Sequence, residues 1–545
     1  MTERTGGEAI VQGLLAHGVD TVFGIPGYQT YHLIDAIARA DPAIRLISPR
    51  HEQGAGYMAF GYARSTGRLG VCSVVPGPGV LNAASALVTA QSTATPLLCI
   101  VGEIPSFAIG KGLGVLHELP DQLGTLATLT KHAVRIDRPA DAPDKMAEAI
   151  HAATTGRPGV AVVEMAMDVM PAREDVADAA GATIPVVEQS IDEADIKAAA
   201  DLLGDARNPV IIAGIGAVHA AEEVEALAKR FQAPVVTYHN SRGVISSRSP
   251  LSFNLPQGYA FWADADLVIG IGSRLEFPFL HWGDWGQKKL LRIDINGAEI
   301  HRHGPPTLGI EGDSKTVLVA LLAATAQTSA RPDRSAGFAA LKARVDANYA
   351  NVQPQMDYLA VIRDVLPDHG IFVDEVTQMG YASWYAFPVY QPRGFVSSGY
   401  QGNLGYGYAT ALGVKMARPE APVVSIAGDG GFLFTAMELA TAAKHDLGVV
   451  AVVFRNDAYG NVERDQTTMF EGRTLGTRLH NPDFVALAES FGVKAVRVNT
   501  PGALRPALKA AIDEDRPALI EVAMPNAADP WPPLFPKGIG GAMKG

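Results

Sequence analysis

The stretch Ile426-Ala427-Gly428-Asp429-Gly430-Gly431-Phe432, with Arg455-Asn456-Asp457-Ala458-Tyr459-Gly460 at its far end, decides how this chain reads. An apolar run from Pro422 to Ala427 has the character of a buried strand and stops at the glycine-rich turn. A helix pattern follows over Ala436 to Lys444, then a second buried strand over Val449 to Phe454 that runs out at Asn456. This is a β-α-β unit with an acid at the end of one strand and an amide at the end of the next. Parallel strands bring those two ends side by side, where ligands of open α/β sheets collect. Glycines let a diphosphate approach the backbone, and the N–H groups opening a helix attract it. Asp429 and Asn456 are hard oxygen donors suited to a Mg²⁺ that also holds phosphate oxygens. Taken singly, Asp429 also reads as a helix N-cap and Asn456 as a turn residue.

At 545 residues the chain is expected to hold two to four domains. With 48% hydrophobic and 19% charged residues it reads as globular, and 56 glycines suit close helix–sheet packing. Lys and Arg number 45 against 57 Asp and Glu, a formal charge of −12 that argues against a nucleic-acid partner. No apolar run reaches the roughly 18 residues of a membrane span, and no leader pattern opens the chain. Cys72 and Cys99 lie in apolar strand-like runs and read as buried free thiols. A cytoplasmic enzyme is the expectation.

Three α/β blocks follow, an expected fold of three doubly wound parallel-sheet domains. Residues 1–170 alternate helical stretches (Gly7 to His17) with strands at Thr21 to Phe23, Gly70 to Val75, Leu97 to Val101 and Ala161 to Met165. Met170 to Val187, rich in Pro, Ala and Asp, reads as a linker. Residues 188–325 open with a helix from Ile191 to Leu203 and carry strands at Pro209 to Ala213, Ala265 to Ile271 and Leu290 to Ile295. A polar stretch, Gln327 to Gly337, separates them from residues 355–530, which hold the opening motif. Residues 531–545 form a C-terminal tail expected to wrap a surface or close over a site.

A second constellation lies in the first block. Arg50-His51-Glu52-Gln53-Gly54-Ala55-Gly56-Tyr57 follows a buried strand, Ile44 to Ser48, and opens an Ala/Gly-rich helix. On residue type alone, Glu52 is an acid favoured by the helix dipole. The segment nevertheless closely resembles the catalytic-glutamate motif of thiamine diphosphate-dependent decarboxylases and acetolactate synthases, and the Gly-Asp-Gly…Asn pair resembles their metal–diphosphate signature. The likeness to the acetolactate synthase/benzoylformate decarboxylase group extends through Phe23-Gly24-Ile25-Pro26-Gly27, Gly77-Pro78-Gly79 and Ser397-Ser398-Gly399-Tyr400-Gln401-Gly402-Asn403-Leu404-Gly405.

That resemblance implies pyrimidine-binding, central degenerate nucleotide-binding and diphosphate-binding domains, in that order. It implies that Glu52 activates the cofactor, that Gly402 offers its carbonyl to the aminopyrimidine, and that Leu404 wedges under the bent cofactor. It assigns the diphosphate to Thr377, Gln378, Gly428, Gly430, Gly431, Asn456, Tyr459 and Gly460, and Mg²⁺ to Asp429, Asn456 and the Ala458 carbonyl. It implies a homodimer as the minimum unit, Glu52 of one chain meeting Asp429 of its neighbour, with dimers paired into a homotetramer. Acetolactate synthases hold FAD in the central domain, but Phe253-Asn254-Leu255-Pro256 departs from the turn that would contact it, so FAD is not expected.

For the chemistry, the resemblance implies a 2-oxo acid that is decarboxylated or ligated through an enamine, or a hydroxy-ketone that is cleaved. His117, in His117-Glu118, is a candidate acid–base group where the synthases have Gln-Glu, and it reads equally well as a loop histidine. His281, in Leu280-His281-Trp282-Gly283, is a second candidate. Arg464-Asp465-Gln466 stands where the synthases present Arg-Gln-Trp, a departure that puts acetolactate synthesis in doubt and sets a carboxylate near the acceptor pocket. The alternatives are a dione hydrolase or acyltransferase of the same superfamily, and a non-catalytic scaffold subunit.

Overall fold

A computed structural model describes residues 1–178, 191–286 and 288–535. Three six-stranded sheets, each entirely parallel, organise the chain, and among the described residues one antiparallel pair stands apart from them. The first sheet runs in the order Arg45–Ile47, Thr21–Gly24, Gly70–Val74, Leu97–Glu103, Val160–Ala166, His132–Ile136. The third runs Phe395–Val396, Ile371–Val373, Val423–Gly428, Val449–Arg455, Ala518–Ala523, Lys494–Val498. Counted within each domain both are 2-1-3-4-6-5, so the two outer domains share one topology. The central sheet is 3-2-1-4-5-6, the dinucleotide-binding order, with Pro209–Ala213 beside Leu267–Ile271 at its reversal.

The strands are near-continuous runs of Val, Ile, Leu and Ala, as strands covered on both faces must be. Local signals set the helix ends. Thr5 and Glu8 form a reciprocal capping box that starts the helix Gly6–Ala16, and Gly67, at φ 78°, ends the helix Glu52–Thr66. The helix pattern expected over Ala436 to Lys444 splits into a 3₁₀ turn, Ala436–Glu438, and a helix, Leu439–His445.

One expectation needs correction. The stretch Met170 to Val187 is more than a linker, because Arg173–Val176 forms a strand antiparallel to Thr2–Thr5, with Thr2 opposite Val176. The rest of that stretch, from 179 on, lies outside the described residues. Helix Ser335–Tyr349 begins inside the polar segment and lays Phe338 against Phe253 and Phe261 of the central domain.

The outer domains share a core. Phe23, Met58 and Phe60 of the first pack with Tyr406, Leu412 and Leu439 of the third. Helices Glu52–Thr66 and Gly407–Ala417 meet through glycines: a Cβ built on Gly61 would lie 2.0 Å from the Thr410 carbonyl oxygen, and one on Gly413 1.9 Å from that of Met58. Backbone-to-backbone contact of this kind locks the helix that begins at Glu52 onto the third domain.

Candidate active site

In the third domain the order reversal falls between Ile371–Val373 and Val423–Gly428, and the chain leaving those strands carries Thr377 and Asp429. Asp429 is buried at 1% exposure, and its carboxylate gathers four donors. The Gly430 amide reaches Oδ1 at 2.9 Å, while the Asn456 and Asp457 amides and Asn481 Nδ2 reach Oδ2 at 3.1, 2.6 and 2.9 Å. Burial pushes the Asp429 pKa up from the usual carboxylate range, and these donors oppose it.

The loop after Val449–Arg455 is pinned from below. Ala458 bridges to Arg478, and the Tyr459 amide donates to the Thr477 carbonyl at 2.8 Å. A Cβ built on Gly430 would lie 2.5 Å from Tyr459 Cε1, and one on Gly460 2.6 Å from Asn456 Nδ2. One on Gly428 would lie 3.3 Å from Thr377 Oγ1, and one on Gly431 3.6 Å from Leu404 Cδ2. Thr377, Leu404, Gly428, Asp429, Gly430, Gly431, Asn456, Tyr459 and Gly460 therefore occupy one place. Gly402, at φ 52°, turns the backbone just before Leu404 in a conformation that glycine adopts freely. Gln378 accepts from Arg464 Nη1 at 3.1 Å, which ties it to the helix Gly460–Met469.

A divalent cation fits these donors. Asn481 Oδ1 is buried without a partner beside the Asp429 carboxylate, an oxygen acceptor held where a cation would satisfy it. Among the described residues no three His, Cys, Asp or Glu converge on a metal position, so such a cation would lean on amide, carbonyl and ligand phosphate oxygens.

Asn481 was missed at the sequence level, and so were the acids below the site. Asp374 accepts from Trp384 Nε1 at 2.8 Å and from the Tyr406 hydroxyl. Glu375 accepts the Gly407 amide at 2.9 Å, and its Cγ lies 3.5 Å from a Cβ built on Gly431. Burial raises Asp374 to about 7 and Glu375 to about 8. The signal was the Asp-Glu pair just past a strand end.

The first domain builds a second group at its own reversal. Glu52 opens its helix, and Oε2 accepts from Asn82 Nδ2 at 3.1 Å. The backbone ahead of it is held by the third domain: Glu438 Oε1 accepts the Arg50 and His51 amides at 3.0 and 3.1 Å. Thr441 Oγ1 orients Glu438 from 2.6 Å. The Gly77 amide donates to Gln122 Oε1 at 3.0 Å, and Gln122 Nε2 donates to the buried pair Glu103 and Glu164 at 3.2 and 2.9 Å. His117 sits behind Gly77, its carbonyl oxygen 2.5 Å from a Cβ built there, with ring Nδ1 3.2 Å from Gln29 Oε1. His117 is thus half-buried and held, on the same end of the sheet as the turn beside Glu52.

His281 belongs to neither group. Burial lowers its pKa, and its ring packs on Phe277 and on Phe535 of the tail, at 4.8 and 4.7 Å between centroids. The tail, as far as it is described, crosses from there to Asn461, whose Oδ1 accepts from Trp531 Nε1 at 2.7 Å.

Among the described residues no hydrogen bond or ion pair joins Glu52 to the Asp429 group. Each group is instead flanked by exposed apolar side chains. Tyr28, Phe107, Leu113 and Leu116 are exposed in the first domain, as are Phe434, Val462 and Met469 in the third. A cavity of about 550 Å³ opens at the central sheet's reversal between Gly214 and Gly272 and is walled by all three domains, with Arg64 and Arg157 from the first, Arg274 from the central and Arg393 from the third.

Three domain families match this geometry in order. Residues 4–125 match the N-terminal TPP binding domain of thiamine pyrophosphate enzymes, residues 196–321 the central domain, and residues 375–522 the C-terminal TPP binding domain. The chain is 34% identical to a probable 2-ketoarginine decarboxylase of Pseudomonas aeruginosa, over 95% of this chain and 94% of that one. It is 33% identical to a probable acetolactate synthase large subunit of Methanocaldococcus jannaschii, over 98% and 94%. It is also 33% identical to the acetolactate synthase large subunit of Corynebacterium glutamicum, over 97% and 88%. No helix among the described residues is long and apolar enough to cross a membrane. The chain belongs to the thiamine pyrophosphate-dependent enzymes, in their decarboxylase and carboligase group.

Proposed function

We propose that this enzyme decarboxylates a 2-oxo acid with thiamine diphosphate and Mg²⁺, passing the product to a proton or to a second carbonyl. The observation that carries the reading is the buried Asp429 carboxylate beside the unpartnered Asn481 oxygen, at the strand end facing Thr377. Asp429, Asn456 and the Ala458 carbonyl would hold the metal. Thr377, Gln378 and the amides of Gly428, Gly430, Gly431 and Gly460, with Tyr459, would hold the diphosphate. Gly402 and Leu404 would set the ring end of the cofactor, and Glu52 would hold a proton against its pyrimidine nitrogen. Bound thiamine diphosphate supplies a carbon nucleophile and an electron sink for the bond that breaks. His117 is the candidate acid–base group, since Gln29 fixes its ring, and His281 is the second candidate.

The site is read as shared by two chains, with a homodimer as the minimum unit and a homotetramer as its pairing. Exposed aromatic and aliphatic side chains around both half-sites support that arrangement. Flavin stays outside the reading, because Phe253-Asn254-Leu255-Pro256 stands in place of the turn that would contact it, and Asn254 serves a local structural role. Its side chain caps the helix Leu255–Trp262 through Gln257, and its Nδ2 donates to the Tyr385 carbonyl at 2.9 Å. A cytoplasmic setting is favoured by Cys72 and Cys99, which face each other on paired strands as free thiols.

Decarboxylation is preferred to acetolactate synthesis because Arg464-Asp465-Gln466, in the helix Gly460–Met469, stands where the synthases carry Arg-Gln-Trp, so the Trp is missing and an acid is added. The test is a panel of 2-oxo acids given to protein loaded with thiamine diphosphate and Mg²⁺, following CO₂ and identifying products. Glu52→Gln is expected to lower turnover by about two orders of magnitude or more with the fold intact. Wild-type turnover in that variant would remove Glu52 from the mechanism. Acetolactate from pyruvate would make the enzyme a synthase.

A further inference from the structure

We infer that Asp465 selects a 2-oxo acid whose side chain ends in a cation, such as a guanidinium or ammonium group. The inference rests on the reading of the site given above and adds its substrate class. Helix Gly460–Met469 leaves the metal loop directly, and Asn461, Arg464 and Asp465 share the face of it that meets the tail, as i, i+3 and i+4 positions do. The positive charge on that face is already committed. Arg464 donates to Gln378 Oε1 at 3.1 Å and to Asn461 Oδ1 at 2.5 Å, and lies 3.3 Å from Asp529.

Asp465 is placed otherwise. Its carboxylate accepts from the neutral Asn461 amide at 3.1 Å, and among the described residues no Lys, Arg or His pairs with it. Arg464 and Asp529 cancel, so one half-exposed carboxylate is left unbalanced on the helix that leaves the metal loop. Aromatic rings stand beside it. Tyr381 packs against Trp531 at 4.2 Å and Trp384 at 5.3 Å between centroids, and Trp531 is tethered to Asn461, the same side chain that bonds Asp465. Burial pushes the Tyr381 hydroxyl up to about 12, with the Asp465 charge the next cause.

A carboxylate without a counter-charge beside the half-buried rings of Trp384 and Trp531 is the chemistry that holds an organic cation. The acid supplies the charge and the rings supply a negative face and apolar cover. Pyruvate offers nothing to such a group, and an anionic side chain would be repelled by it.

The experiment compares kcat/KM of the cofactor-loaded enzyme for a 2-oxo acid ending in a guanidinium group with that for the alkyl 2-oxo acid of equal length. The guanidinium acid is expected to be favoured, and Asp465→Asn to shrink the ratio at least about tenfold, mainly through KM, while Asp465→Glu retains most of it. Calorimetric titration with thiamine diphosphate checks that each variant still assembles its cofactor site. An alkyl acid turned over as well as the guanidinium acid, or a ratio unmoved in Asp465→Asn, overturns the inference and leaves the decarboxylase reading standing. Silence on both acids, with thiamine diphosphate bound, overturns the two together.

Discussion

At the scale of single residues, Glu438 has the most leverage for the least visibility. It lies in the third domain, is fully buried, and accepts two amides just ahead of Glu52 in the first. Burial raises its pKa, which Thr441 and those amides counter by bonding the charged form. Removing the carboxylate leaves two amide hydrogens unsatisfied in a closed space, at about 1–3 kcal/mol. Glu438→Ala is therefore expected to lower thermal stability and to cut kcat through a misplaced Glu52, with Glu438→Gln intermediate. Calorimetric melting and single-turnover rates read the two effects separately, and an unchanged kcat in Glu438→Ala would deny it a part in placing Glu52. The partner amide lies 388 residues away in the chain, so no local pattern could have revealed the pairing. Asp429 and Asn456, by contrast, were legible because each closes an apolar run, and the parallel pairing of the two strands brings the ends together. Asn481 was not legible, since it sits in a loop with no periodic neighbour.

At the scale of elements, the carboxyl pair Glu103 and Glu164 joins two strands and a helix. Glu103 ends the strand Leu97–Glu103, Glu164 lies in Val160–Ala166, and Gln122 opens the helix Gln122–Leu129. Burial, with the Glu164 charge behind it, raises Glu103 from 4.5 to about 7. The folded protein thus keeps a proton on Glu103 that the unfolded chain releases near 4.5. Stability from it is full below that pH and falls as pH rises toward about 7. Glu103→Gln should flatten that decline in a series of melts across the window, and a slope unchanged from wild type would mean Glu103 stays ionised there. Legibility at this scale followed burial. The apolar strands were evident because covered parallel strands are continuous runs. The strand Arg173–Val176 was not, because its Arg-Glu-Asp-Val sequence is polar and its existence depends on Thr2–Thr5 across the domain.

At the scale of the whole molecule, two outer domains of one topology share one core within the chain, and in the proposed reading each holds half of a site. That internal packing fixes Glu52 relative to Glu438 of its own chain, while the exposed apolar residues around both halves fit the second copy proposed above. A two-fold dimer in which Glu52 of one protomer completes the Asp429 group of the other makes a sharp demand on mixed variants. Glu52→Gln and Asp429→Ala each abolish both sites of a homodimer. In a mixed dimer, the Asp429→Ala protomer contributes its intact Glu52 to the intact Asp429 of the Glu52→Gln protomer, so one site is whole and the other doubly broken. Co-refolding the two variants in equal amounts should therefore restore about a quarter of wild-type activity, from a half-share of mixed dimers with one working site each. Sedimentation of the same mixture shows whether dimers formed. Dimers without recovered activity would place Glu52 and Asp429 of a single chain at one site, through a closure that brings its own two outer domains together.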